Sequence, residues 1–500
     1  MSITASTSRP PAQPQSTTRT RAQLIGGEWL EAADGATFDV TNPLDNSIVT
    51  RVPASSRVDM ARAVAAAHQA QPGWAAMAPA HKQALFAKAA DILESRTPEI
   101  VAMLADETGS GAGFGYFQLS WSVSLLRAAA GWVYHPHGQL LRSDYPGTIA
   151  TAERKPLGVV ASFTPWNGAH CLAWRAVVAP LVAGNTVVVK PSEEAPVTAG
   201  LLVGEILHDA GFPAGTVNVV THAGAAAAEV AEEFYDNPAV RCLYFTGSAK
   251  TARVVAARAA QALKRSVLEL GGYNQIVVTE DADLDHAAKT VAFSAFFHQG
   301  QICMNARRVL VAQSVYQSFL DKLTAIAQAM PIGDPSDPST VIGPLINDAA
   351  LSGTRAAIEG AVRDGARVHV GGSHDGRLFA PTVLVDVPDH AELSCEETFG
   401  PVLVVRPINN DEEGIALVNA NPYGLSFSVL TGDPARGMSI CSRIDSGAVH
   451  VNSPTINDEP HAPNGGTKNS GWGRSGLDAL DDFTEIRWMT VEAAQRALPF

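Results

Sequence analysis

Gly158-Val159-Val160-Ala161-Ser162-Phe163, running into Thr164-Pro165-Trp166-Asn167, decides the fold. The first six residues are small or apolar, too few for a helix, and a Pro-Trp-Asn turn stops them. A short unbroken apolar run, rather than an alternating one, marks a strand covered on both faces. The same pattern returns at Thr186-Val187-Val188-Val189-Lys190, Val217-Asn218-Val219-Val220, Cys242-Leu243-Tyr244-Phe245 and Ser266-Val267-Leu268-Glu269-Leu270. Helical stretches fall between them: from the turn through Pro180, then Pro196–Ala210, Ala223–Phe234 and Ser248 to about Ala262. Short apolar strands alternating with helices predict a doubly wound parallel sheet, with ligands beyond the carboxyl ends of its strands.

Downstream the rhythm continues as a second α/β unit. It contains helices over Asp283–His298, Val315–Met330, Leu351–Asp364, Glu412–Ala420 and Pro434–Ile444. Strands are expected at Val309–Ala312, Val368–Gly372, Thr382–Val385 and Ser426–Thr431. Upstream, Ile25–Trp29 reads as a strand and turn, followed by helices over Val58–Ala70, Lys82–Ser95, Pro98–Thr108 and roughly Leu119–His135. Tyr145–Pro156 is extended, and the alternation in Asp482–Glu492 predicts a strand. The bulk numbers fit such a chain: 500 residues, 46% hydrophobic and 17% charged. A net charge of −14 argues against a nucleic-acid or anionic-membrane surface. Five scattered cysteines without a C-x-x-C pair fit a reducing, cytoplasmic setting and indicate neither disulfides nor a metal site. No apolar run approaches the ~18 residues of a membrane span. Residues 1–21, rich in Ser, Thr, Pro and Gln, read as a disordered tail.

One cysteine stands in a setting suited to chemistry. In Phe297-His298-Gln299-Gly300-Gln301-Ile302-Cys303-Met304-Asn305, a thiol sits in a polar, glycine-containing turn between an apolar stretch and a strand. A thiolate attacks carbonyl carbon once its pKa falls or a base is near. On this stretch alone a small buried thiol is the simpler reading. The loops at the strand ends reverse that order. They spell Phe163-Thr164-Pro165-Trp166-Asn167, Lys190-Pro191-Ser192-Glu193, Phe245-Thr246-Gly247-Ser248 and Glu269-Leu270-Gly271-Gly272. Gln299 through Cys303, Glu397-Thr398-Phe399-Gly400-Pro401 and Gly465 through Gly471 complete the set.

From about Leu24 onward this ordered set resembles the aldehyde dehydrogenase superfamily. Pro454-Thr455-Ile456-Asn457-Asp458-Glu459, Arg175 and the Phe483–Thr490 ending look most like the benzaldehyde, salicylaldehyde and vanillin dehydrogenases. The resemblance implies oxidation of an aldehyde to the acid through a cysteine thiohemiacetal and thioester. NAD is the expected cofactor, with NADP the alternative. In that frame Cys303 is the nucleophile, Asn167 an oxyanion donor and Glu269 the general base for thioester hydrolysis. Thr164, Pro165, Trp166, Lys190, Glu193, Gly224, Gly247, Ser248, Leu270, Glu397 and Phe399 match cofactor positions. A helix opening at Gly247-Ser248 suits a pyrophosphate, and Glu193 would accept from ribose hydroxyls and repel a 2′-phosphate. Cys171, Leu172, Arg175, Ile302, Met304 and Asn464 are the expected substrate-pocket residues.

The expected architecture is a NAD-binding domain (22–140 and 159–270), a second α/β catalytic domain (271–475) and a β-hairpin oligomerisation arm (141–158 and 476–500). A homodimer or homotetramer is expected from that arm. Gly168 and Asn464 stand where bulkier residues are common, which favours a substituted aromatic aldehyde. An aliphatic aldehyde or semialdehyde remains open, as does thiol-ester hydrolysis without hydride transfer. The other four cysteines read as buried and inert, and His170 and His298 as polar loop residues.

Overall fold

The computed structural model describes residues 20–498 and 500. The expected tail lies outside the described residues except for Thr20 and Arg21. Thr20 forms a bridge with Arg51, and the Arg21 N–H donates to its carbonyl.

Five parallel strands form the centre of the first sheet. In spatial order they are Val217–Val219, Thr186–Pro191, Val159–Thr164, Val240–Gly247 and Arg265–Leu270. Gln23–Ile25 and Glu28–Leu30 extend one edge antiparallel, and Gly471–Trp472 extends the other. Every residue of Val159–Thr164 is buried. Val160 joins one apolar core with Val187 and Val189, whereas Val159, Ala161 and Phe163 join the opposite core with Val188. Helices therefore cover both faces, and each fully buried Val or Leu contributes roughly 1.5–3 kcal/mol. The chain steps from Val159–Thr164 to Thr186–Pro191 on one side and later returns to Val240–Gly247 on the other. That reversal opens a crevice beyond Thr164 and Gly247.

The second sheet has seven strands: Arg367–Val370, Thr382–Val385, Val402–Ile408, Ala306–Ala312, Asn274–Val278, Ser426–Leu430 and Ala448–Val451, in that order. All neighbours are parallel except the first pair. Three of these strands have no counterpart in the sequence reading. Asn274–Val278 opens with two polar residues, Val402–Ile408 carries Pro407 inside it, and Ala448–Val451 is only four residues long. A third sheet pairs Thr484–Glu492 with Thr148–Pro156 over nine residue pairs, and Gly138–Leu141 flanks it. Leu140 (78%), Ile486 (68%) and Trp488 (72%) of this small sheet are exposed. No helix among the described residues is long and apolar enough to cross a membrane.

Candidate active site

The thiol turn is built on unusual backbone. The expected helix through His298 stops at Phe296, because His298 (φ 51°), Gln299 (φ 55°) and Gly300 (φ 70°) are all left-handed. Non-glycine residues hold that conformation only where their surroundings fix it, and here side-chain amides do so. Gln299 Nε2 donates to the carbonyls of Gly109 (3.1 Å) and Pro344 (3.0 Å). Asn305 Oδ1 accepts from the Ile302 N–H at 2.5 Å, and its Nδ2 donates to Ser294 O at 2.9 Å. Asn274 Nδ2 donates to Cys303 O (2.7 Å) and to Asn305 O (2.8 Å). Gly300 has no freedom to carry a side chain: a Cβ would lie 2.1 Å from Gly400 O. Asn274 and Asn305 were not among the expected site residues, since buried amides leave no pattern in a sequence.

Cys303 emerges half-buried into a cavity of about 380 Å³. Asn167 and Glu269 line the same cavity, although 34 residues separate Glu269 from the thiol and 102 separate it from Asn167. Asn167 follows Val159–Thr164 and donates from Nδ2 to Gln301 O at 3.0 Å, which sets its amide against the thiol turn. Glu269 sits within Arg265–Leu270, and burial raises its pKa to about 8 against the pull of Arg175. Burial also pushes the Cys303 thiol up to about 12, with Glu397 adding to the rise and Arg175 opposing it.

Of the expected cofactor positions, Pro165, Trp166, Gly247, Ser248, Leu270, Glu397 and Phe399 line this cavity. Ser248 caps the helix Ala249–Gln261 by accepting from the Thr251 N–H at 3.2 Å. The Trp166 ring meets Phe399 edge-on at 5.6 Å. Glu397 presses on the Gly271 backbone so closely that a Cβ there would fall 1.9 Å from Glu397 Oε2. Burial raises the Glu397 pKa to about 7, while Arg307 lies 3.7 Å away and counteracts it. Arg307, absent from the sequence reading, also donates to Gly400 O (3.2 Å) and Ile302 O (3.4 Å), so it ties the two loops together.

Four expected positions lie apart from the cavity. Thr164 Oγ1 donates to Ala199 O at 2.7 Å. Lys190 Nζ is 2.7 Å from His222 Nε2, and burial lowers its pKa to about 8. A Cβ on Gly224 would approach Glu193 Oε1 to 3.1 Å, so Gly224 and Glu193 adjoin. Lys190, within the last two residues of Thr186–Pro191, and Glu193 and Gly224, just past the ends of Thr186–Pro191 and Val217–Val219, thus fall at the same end of the sheet.

All six expected pocket residues, Cys171, Leu172, Arg175, Ile302, Met304 and Asn464, line the cavity. Gly168 lines it too, and a Cβ there would meet Leu172 at 3.1 Å. The remaining wall includes Phe114, Phe117 and Leu425, which the sequence did not single out, and Ile456 and Asp458 of the Pro454–Glu459 run, which it did not assign to the pocket. Phe114 packs with Ile302, Met304, Leu425 and Ile456 beside Cys303. Two expectations need correction. Cys171 and Cys395 are half-buried rather than buried, and Cys171 faces the cavity. His170 and His298 are core residues: His170 accepts from Trp174 Nε1 at 2.9 Å, and the His298 ring packs 4.5 Å from Phe114. Burial holds His170 near pKa 4 and His298 near 3, so both stay neutral.

A doubly wound sheet whose crevice opens onto a thiol, an amide and a carboxylate defines a class, and the family comparison agrees. The aldehyde dehydrogenase family profile matches residues 29–489, and the chain belongs to that family. Among its relatives, a vanillin dehydrogenase of Pseudomonas fluorescens is 41% identical over 477 residues, 95% of this chain and 98% of that protein. A benzaldehyde dehydrogenase [NAD(+)] of Pseudomonas putida is 35% identical over 480 residues, 96% of this chain and 98% of that protein. The crystal structure of a salicylaldehyde dehydrogenase from Pseudomonas putida G7, complexed with salicylaldehyde, superposes with a TM-score of 0.94. It is 34% identical and covers 97% of this chain and 100% of that one. The protein is therefore an aldehyde-oxidising enzyme.

Proposed function

We propose that the enzyme oxidises an aromatic aldehyde to its carboxylic acid with NAD, through a covalent adduct on Cys303. The observation that carries this reading is the meeting of Cys303, Asn167 and Glu269 in one largely apolar cavity. Cys303 sulfur adds to the carbonyl carbon, and the carbonyl oxygen becomes an alkoxide. The Asn167 side-chain amide and the Cys303 backbone N–H are the donors for that charge. The dinucleotide, when bound, supplies the hydride acceptor that converts the adduct to a thioester. Glu269 then takes a proton from water as that water attacks the thioester carbon; the C–S bond breaks, the carboxylic acid departs and the Cys303 sulfur is freed as thiolate. The thiol is a weak nucleophile while protonated, so the adduct forms from its thiolate.

The residues present fit a dinucleotide. The capped helix start at Ser248 offers free N–H groups to a pyrophosphate. Glu397 and Phe399, in the cavity with the thiol, would hold the nicotinamide ribose, and Lys190 and Glu193 would hold the adenosine ribose. Glu193 would accept from ribose hydroxyls and repel a 2′-phosphate, which favours NAD over NADP. Aromatic substrates suit the rings and branched chains around Cys303, and the relatives named above act on benzaldehyde, salicylaldehyde and vanillin.

Strands 148–156 and 484–492, with their exposed Ile149, Ile486 and Trp488, fit an arm (141–158 and 476–500) that pairs subunits into a dimer or tetramer. With that arm, a dinucleotide-binding domain (22–140 and 159–270) and a catalytic domain (271–475) would make up the subunit. Spectroscopic growth of reduced nicotinamide with aromatic and aliphatic aldehydes tests the function. Aromatic aldehydes should give the higher kcat/KM, and Cys303→Ala should abolish turnover. A profile peaking on short aliphatic aldehydes, or an active Cys303→Ala variant, would overturn it.

A further inference from the structure

The cavity wall contains a polar group that the oxidation chemistry does not use. Arg175 Nη2 donates to Asp458 Oδ2, and the guanidinium lies 5.0 Å over the Trp121 ring. The side chains of this pair are only 10% and 7% exposed. Asn464, 8% exposed, donates from Nδ2 to Met304 Sδ at 3.8 Å. Asp458 Oδ1 and Asn464 Oδ1 are buried, and neither has a hydrogen-bond partner among the described residues. Arg175, Asp458 and Asn464 all line the cavity that holds Cys303. Buried acceptors without donors are costly and uncommon. Two of them on one binding wall, beside the equally unpartnered Arg175 Nε, call for a group that donates and can also accept, as a hydroxyl does.

We infer that Asp458 Oδ1 and Asn464 Oδ1 accept a hydrogen bond from a neutral hydroxyl on the substrate ring. Asp458 and Asn464 thereby become the specificity-determining residues for hydroxylated aromatic aldehydes. This rests on the aromatic-aldehyde reading above and deepens it. A hydroxyl is the matching chemistry because it donates. A methyl ether fills the same space and leaves both acceptors bare. A carboxylate has no hydrogen to give the two acceptors and brings a second anion beside Asp458, which already pairs with Arg175, so a semialdehyde bearing an acid is disfavoured although Arg175 Nε also lacks a partner. Asn464 contributes the neutral acceptor and Asp458 the charged one, and the charged acceptor forms the stronger bond.

The test compares benzaldehydes carrying hydroxyl, methoxy or carboxylate at each ring position, with the native enzyme, Asn464→Leu and Asp458→Asn. At one ring position at least, hydroxyl should exceed methoxy in kcat/KM by about tenfold or more, mainly through KM. Each substitution should pull that ratio several-fold towards one. A merely structural role would lower all substrates together and leave the ratio intact. Asn464→Leu does not touch the ion pair, so it decides the matter even if Asp458→Asn fails to fold. A native ratio near one at every position, a ratio unchanged in Asn464→Leu, or a carboxylate substrate that outperforms the hydroxylated one would overturn the inference. If unsubstituted benzaldehyde is oxidised well in those cases, only this inference falls; if no aromatic aldehyde reduces the cofactor, the functional reading falls with it.

Discussion

Glu269→Gln should do more than slow the enzyme; it should remove one limb of its pH profile. Burial raises the Glu269 pKa to about 8, and the base works only as the carboxylate. A raised pKa means the working form is scarce at neutrality and accumulates as pH rises. At pH 7 roughly one Glu269 in eleven is ionised, at pH 8 about half, and at pH 9 about ten in eleven. Where thioester hydrolysis limits turnover, kcat should therefore rise about fivefold from pH 7 to pH 8 and less than twofold from pH 8 to pH 9. General-base catalysis is worth about 10²–10⁴ in rate, so the Gln variant should lose at least about 100-fold in kcat and show a flat profile over that range. Steady-state kcat across pH 6–9.5, together with stopped-flow absorbance of reduced nicotinamide, measures both effects. The variant should keep a rapid burst near one equivalent per site, because adduct formation and oxidation precede the lost step. A Gln variant that retains the same rising limb, or a native limb centred near pH 5, would refute the assignment.

The thiol at about pKa 12 leaves a thiolate fraction on the order of 10⁻⁵ at pH 7. Alkylation of Cys303 by iodoacetamide in the cofactor-free protein should thus be far slower than for free cysteine and climb about tenfold per pH unit from 7 to 10; mass spectrometry of the modified peptide reads it, and a plateau below pH 8 would contradict it. Gly271→Ala places a methyl 1.9 Å from Glu397 Oε2, so KM for NAD should rise about tenfold or more while far-ultraviolet circular dichroism stays native. Asn274→Ala removes bonds to Cys303 O, Asn305 O and the Ser426 N–H. At about 1 kcal/mol for each buried bond, the loss is roughly 3 kcal/mol, visible as a lower Tm together with a lower kcat.

The chain order of the first sheet was readable because its strands are buried on both faces and announce themselves as continuous Val-rich runs. The family resemblance carried by the strand-end loops then implied that Cys303, Asn167 and Glu269 share one site. What stayed hidden follows from the same physics. Asn274–Val278 devotes its first two residues to buried polar contacts, so the strand that steadies the thiol turn lacks an apolar signature. The turn at His298–Gln299 follows an aromatic run that continues the helical pattern, and only contacts with Gly109 and Pro344 reverse the backbone there. Arg175 and Asp458 stand 283 residues apart, and no local pattern joins two such charges. The packing that buries His170 and His298 is equally long-range.

Gly300 and the Gly400 carbonyl touch so closely that neither loop can be exchanged by itself. Grafting in a thiol-bearing turn with any side chain at position 300, without a changed partner loop at Glu397–Pro401, would import a collision. Attempts to re-engineer cofactor choice through the Glu397–Phe399 side would shift the sulfur as well. In this fold, nucleophile and coenzyme grip are inherited as a single part, and directed evolution would have to move them in tandem.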